Sequence, residues 1–69
     1  MKDSQKYDQR LTCREAAIYI HMSIEWLAQQ RKHGFGPAYY KYGSSSNAPV
    51  RYSLLDLDTY LESVKVKVA

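Results

Sequence analysis

Apolar residues recur three and four apart in two early stretches and one late one, and between these lies a stretch where they alternate with polar residues. That pattern predicts helix, helix, hairpin, helix. Thr12 followed three residues later by Glu15 is a capping box, so the first helix starts at Cys13 and runs to about Ile20. Its apolar positions Ala16, Ala17 and Ile20 form one face, and the two alanines let another helix approach closely. His21 and Met22 break the helix, and Ser23 caps a second one that runs to His33 and stops at Gly34. So short a link forces the two helices to cross steeply. Residues Ala38 to Tyr42 and Val50 to Tyr52 read as two strands of a hairpin, bridged by a soft tip of Ser44, Ser45, Ser46, Asn47, Ala48 and Pro49. Strict alternation puts Tyr40, Tyr42, Val50 and Tyr52 on one face, and Lys41 and Arg51 together on the other. Ser53 with Asp56 caps a third helix to about Ser63, with Leu54, Leu57, Tyr60 and Leu61 at helical spacing.

The ends carry less pattern. Residues 1–10 are polar and aperiodic, and they read as a mobile arm with structure beginning at Thr12. Residues 64–69 alternate valine with lysine like a strand. A short terminal segment is expected to fray, with pairing to the hairpin edge or to another subunit as the alternative. The fold expected is therefore mainly α with a small β-hairpin, in one domain over residues 11–63.

Composition narrows the function classes. Sixty-nine residues leave room for a single core, and 45% hydrophobic residues are enough to build it. No apolar run approaches the roughly 20 residues of a membrane span, and the start lacks a signal-peptide profile, so a soluble, cytoplasmic protein is expected. One cysteine, Cys13, excludes an internal disulfide, and with only His21 and His33 beside it there is no set of ligands at zinc spacing. Neither a positioned nucleophile nor a phosphate-cradling glycine loop is legible, so no enzyme and no cofactor is expected. The net charge is +3, and its distribution says more than its total. No carboxylate lies between Glu25 and Asp56, a stretch that holds Arg31, Lys32, Lys41 and Arg51, whereas the next element carries Asp56, Asp58 and Glu62. A chain sorted in this way can turn a cationic surface to a polyanion and keep its acidic element away.

The ordered set of these features resembles the excisionase-like, MerR-type winged helix-turn-helix domains of phage and mobile elements. The resemblance runs from Leu11 to Leu61. It rests on Leu11-Thr12 with Glu15-Ala16-Ala17, on Ser23 and Leu27, on Gly34 to Gly36-Pro37, on Tyr40 to Gly43, and on Val50-Arg51-Tyr52 leading into Asp56-Leu57 and Tyr60-Leu61. It implies a winged helix-turn-helix of three short helices plus a wing, binding double-stranded DNA through the second helix and the wing. An excisionase, a transcriptional regulator or both are implied, with an integrase as a partner of the excisionase role. The chain departs from the family pattern in its serine-rich, uncharged wing tip, in Trp26 where a small hydroxyl residue is common, and in Gln30 where an apolar one is usual.

With Leu27 as the buried centre of the second helix, Ile24 and Arg31 flank it and Glu25, Gln29 and Lys32 point away. Gln29 is the candidate for a bidentate contact to adenine, with Gln30 at the edge of the same surface and Glu25 and Trp26 beside it. Lys32, Lys41, Arg51 and Arg14 are candidates for phosphate, as is Ser23, whose helix N-terminus suits an anion. So small a module is expected to gain affinity by cooperative assembly of copies on DNA. The rival reading is a protein-interaction adaptor that uses Trp26 and the tyrosines as anchors. Salt separates the two, because phosphate contacts weaken steeply with ionic strength and aromatic ones barely respond.

Overall fold

The computed structural model describes residues 9–68. It is a small, mainly α domain: β1 (Arg10–Thr12), α1 (Cys13–Ile20), α2 (Ile24–His33), β2 (Tyr40–Lys41), β3 (Val50–Ser53) and α3 (Leu54–Ser63). Each helix begins where a hydroxyl is available to cap it. Thr12 Oγ1 accepts from the Glu15 amide at 3.1 Å, and the Glu15 carboxylate accepts from the Thr12 amide at 2.9 Å, closing the expected capping box. Ser23 Oγ accepts from the Trp26 amide at 3.0 Å, and Ser53 Oγ from that of Asp56 at 3.5 Å. α1 ends on His21, held in the left-handed region at φ 60°, and only residues 21–23 separate it from α2. α2 ends on Gly34 at φ 78°, a conformation that costs glycine nothing.

Ala16, Ala17 and Ile20 of α1, Leu27 of α2, Tyr52 of β3 and Leu57 of α3 make the core, with Leu11, Cys13, Trp26 and Val50 packed around it. Two alanines at the centre of α1 are what let a sheet and two helices close on so short a segment. Gly36 has a related role in the loop after α2. Its φ is 84°, and a Cβ there would stand 2.7 Å from the Cβ of Gln30, so the chain passes over α2 only because that side chain is absent.

The three strands form one antiparallel sheet in the order β1-β3-β2. β1 corrects the expectation of an arm reaching to residue 10. Arg10 and Leu11 pair with Ser53 and Tyr52, and the Gln9 carbonyl accepts from the Leu54 amide at 2.8 Å, which satisfies an otherwise unpaired donor at the start of α3. Three residues are too few to show a period of two, so this strand exists through its partner rather than through its own pattern. The remainder of the expected arm, residues 1–8, lies outside the described residues.

The register also corrects the expected faces of the hairpin. Tyr40 stands opposite Arg51 and Lys41 opposite Val50. Residues directly paired share a face, so the two cations lie on opposite sides of the sheet. The inner side carries Leu11, Lys41, Val50 and the fully buried Tyr52; the outer side carries Arg10, Thr12, Tyr40, Arg51 and Ser53. A one-residue slip moves every side chain across, and a tip as long as residues 43–49 does not pin the register. Burial of Tyr52 and its pairing with Leu11 set it instead. Beyond α3, residues 65–68 take no regular structure, and Val66 and Val68 are 83% and 89% exposed. No helix of the described residues is long and apolar enough to cross a membrane.

Candidate nucleic-acid interface

α2 is held by a single fully buried side chain, Leu27, with Trp26, Gln30 and Arg31 half-buried on its flanks. That leaves Ile24, Glu25, Ala28, Gln29, Lys32 and His33 exposed. Glu25, Gln29 and Lys32 follow one another at intervals of four and three, so they form one outward row. Glu25 lies in the first turn, and Arg31, Lys32 and His33 fill the last, each sign placed where the helix dipole favours it.

Arg31 belongs to the interior. Its Nη1 donates to the Tyr52 hydroxyl at 2.8 Å and reaches Cys13 Sγ at 3.7 Å, and its guanidinium lies 5.8 Å from the ring centre of Tyr39. Partial burial works against its charge, but the Tyr52 bond and the surrounding Tyr52, Cys13 and Tyr39 outweigh it, and the pKa rises. Tyr52 shifts upward as well, because burial disfavours its phenolate more than Arg31 favours it. The pair is thus a neutral hydroxyl accepting from a permanent cation, and it ties α2 to β3. Helical spacing puts Arg31 beside Leu27, yet its hydroxyl partner across the fold could not be read from the chain.

The other candidates divide. Gln29, Lys32, Glu25 and Arg14 are exposed. Ser23 is exposed but already uses its oxygen as a cap. Trp26 packs against the core with its ring 6.2 Å from that of Tyr60, and Gln30 lies beneath Gly36, so both face the domain more than the row does. Lys41 is exposed at the hairpin edge on the helix side of the sheet. Arg51 is half-buried on the outer side, its Nη1 donating to the Val50 carbonyl at 2.9 Å.

Sequence reasoning missed Arg10 and Tyr40. The Arg10 guanidinium stands 4.5 Å from the centre of the Tyr40 ring, on the same outer face as Arg51. No periodicity around residue 10 signals this, since the pairing of β1 creates it. Asp58 on α3 accepts from the Tyr19 hydroxyl at 2.6 Å, a bond that raises the tyrosine pKa. No group of three or more metal-ligating side chains occurs among the described residues. What the surface offers is an open helix row of one carboxylate, one amide and one ammonium group, Glu25, Gln29 and Lys32, with Lys41 exposed on the hairpin. Neither a known protein family, nor a curated protein, nor a solved structure matches the chain.

Proposed function

We propose that this is a sequence-specific DNA-binding domain of winged helix-turn-helix type, serving as an excisionase or transcriptional regulator. The observation that carries the reading is α2. One leucine anchors it, three residues join it to α1, and its outward row presents Gln29 and Lys32 with no apolar side chain between them. Ten residues make a rod about 15 Å long, and the major groove, about 12 Å wide, admits one. Gln29 then reads a base edge, Lys32 and Lys41 neutralise phosphates, and Arg14 extends the backbone contacts from α1. Trp26 and Gln30 support α2 from beneath, and Glu25 marks the end of the row nearest the α1–α2 turn.

The test compares cognate and scrambled duplexes. Gln29→Ala is expected to cost about 1–3 kcal/mol on the cognate site and little on the scrambled one. Lys32→Ala and Lys41→Ala are expected to weaken both alike. Equal losses for Gln29→Ala would remove the base-reading role. A binding constant indifferent to salt would transfer the surface to a protein partner. Excision with an added integrase, set against repression of a promoter, separates the two biological roles.

A further inference from the structure

The loop after α2 holds an apolar ring in water. Phe35 is 69% exposed, yet the backbone that carries it is tied down on both sides. Its amide donates to the Gln30 carbonyl at 2.8 Å, and the Gly34 amide before it donates to the Arg31 carbonyl at 3.3 Å. Gly36 after it lies so close to Gln30 that a Cβ would stand 2.7 Å from that residue's own, and Pro37 is buried. In a helix stop of this kind, an apolar side chain after the glycine ordinarily packs back on the residue whose carbonyl its amide bonds, or on the one before it. Those residues are Gln30 and Gln29, two polar amides, and the Gly36 backbone already covers the first. The ring therefore lacks its usual seat. Val66 and Val68 are more exposed still, but they lie on a segment without regular structure. Phe35 is exposed from a fixed frame, so little chain entropy is lost when something covers it.

What covers it follows from its place. The last turn of α2 carries Arg31, Lys32 and His33, and the one acid of that helix, Glu25, lies in the first turn. Phe35 follows closely on the exposed Lys32 and His33. On the DNA-binding reading, a rod about 15 Å long exceeds the roughly 12 Å width of the major groove, so a residue just past its end meets the sugar–phosphate wall. Between its phosphates that wall is deoxyribose, whose carbon face is apolar, and water leaves both surfaces when a phenyl ring packs on it. We propose that Phe35 is a DNA-backbone contact, its ring packed on the deoxyribose next to the phosphate that Lys32 neutralises. The inference rests on the DNA reading above and adds to it an apolar, salt-insensitive contact that the charged residues cannot make.

The experiment is a titration of fluorescent duplexes, cognate and scrambled and each too short for a second copy, by the full chain at several salt concentrations. The proteins are wild type, Phe35→Ala, Phe35→Leu and Lys32→Ala. Phe35→Ala keeps the backbone bond and removes the ring. It should bind both duplexes about tenfold more weakly, the loss expected for uncovering part of a large apolar side chain. Its slope of log affinity against log salt should equal that of wild type, because an apolar contact releases no counterion. Lys32→Ala should instead lower that slope by about one. Phe35→Leu should recover most of the affinity, since it restores apolar area. If Phe35→Ala fails to fold, as judged by its thermal transition, Phe35→Gln takes its place as a polar chain of similar reach. Wild-type affinity in the folded variant, with a weakened Lys32→Ala, overturns the deoxyribose contact and leaves the α2 reading standing. So does a loss confined to the cognate duplex, which moves the ring to a base edge, or one that lowers the salt slope, which makes the loop a holder of phosphate contacts. A wild type that binds neither duplex overturns both.

Discussion

Arg31 stays charged on a flank of the domain because the Tyr52 hydroxyl, with Cys13 and Tyr39 around it, offsets the cost of its partial burial. One guanidinium touches Cys13 at the start of α1, Tyr39 before β2 and Tyr52 in β3, and so it binds together the segments that must close around Leu27. Tyr52→Phe keeps the ring and removes the acceptor. The cost expected is about 1–3 kcal/mol, the usual range for stranding a partly buried charged donor, and urea denaturation measures it. The same variant has a signature in pH. Tyr52 is shifted upward in the fold from its ordinary value of 10.0, chiefly by burial, so the folded state holds the proton more tightly than the unfolded chain. That contribution is complete below the unfolded value and is lost as pH rises through the folded one. Stability should therefore decline through the alkaline range in the wild type and decline less in Tyr52→Phe. Tyr19, shifted the same way by its bond to Asp58, titrates in both proteins and leaves a residual slope. Identical alkaline declines would show that Tyr52 contributes nothing to the dependence.

At the scale of elements, the hairpin separates what holds the structure from what decorates it. The Tyr42 amide donates to the Pro49 carbonyl at 2.8 Å, closing the ladder beyond β2, and past that point the tip has one internal backbone bond, from the Ala48 amide to the Ser45 carbonyl at 3.1 Å. Deleting Ser45 and Ser46 removes that bond and shortens the loop, for which the entropy change is small. DNA affinity should stay within about threefold of wild type, and a larger loss with folding intact would make the tip a contact surface. The helices were legible in the sequence because their signals are local: Thr12 with Glu15, Ser23 before a run centred on Leu27, Gly34 as a stop, and Ser53 before Asp56 are all read within four residues. The exposed row of α2 followed from the same local geometry, once Leu27 was taken as its centre. β1 and the hairpin register were not legible, because each is fixed by a partner distant in sequence. Arg51 therefore changed sides relative to Lys41, and Arg10 entered the picture only with the fold.

Taken as a whole, the molecule is sorted by charge. Its α3 carries Asp56, Asp58 and Glu62 and no cation, whereas no carboxylate lies in the chain between Glu25 and Asp56. The net charge of +3 thus combines an acidic α3 with a stretch, residues 26–55, that carries cations and no carboxylate. One domain of this size makes few phosphate contacts, and each contributes a modest, salt-sensitive share of affinity. Specific binders reach about 10⁻⁸ M or tighter, so on the DNA-binding reading neighbouring copies supply the difference. The acidic α3 of one copy can face the basic surface of the next, a heterologous contact that repeats along a duplex instead of closing on itself. The tail suits the same junction. It leaves α3 with Val66 and Val68 almost fully exposed and Lys65 and Lys67 between and before them, an apolar and basic segment with no seat on its own domain. Titration of duplexes long enough for one, two and three sites is expected to show affinity per site rising with length. Removal of residues 64–69 should abolish the rise while leaving the single-site affinity within a few-fold. Affinity per site that does not change with length would establish independent monomers. A rise that survives the truncation would move the contact from the tail to α3, where reversing Glu62 to lysine becomes the deciding variant.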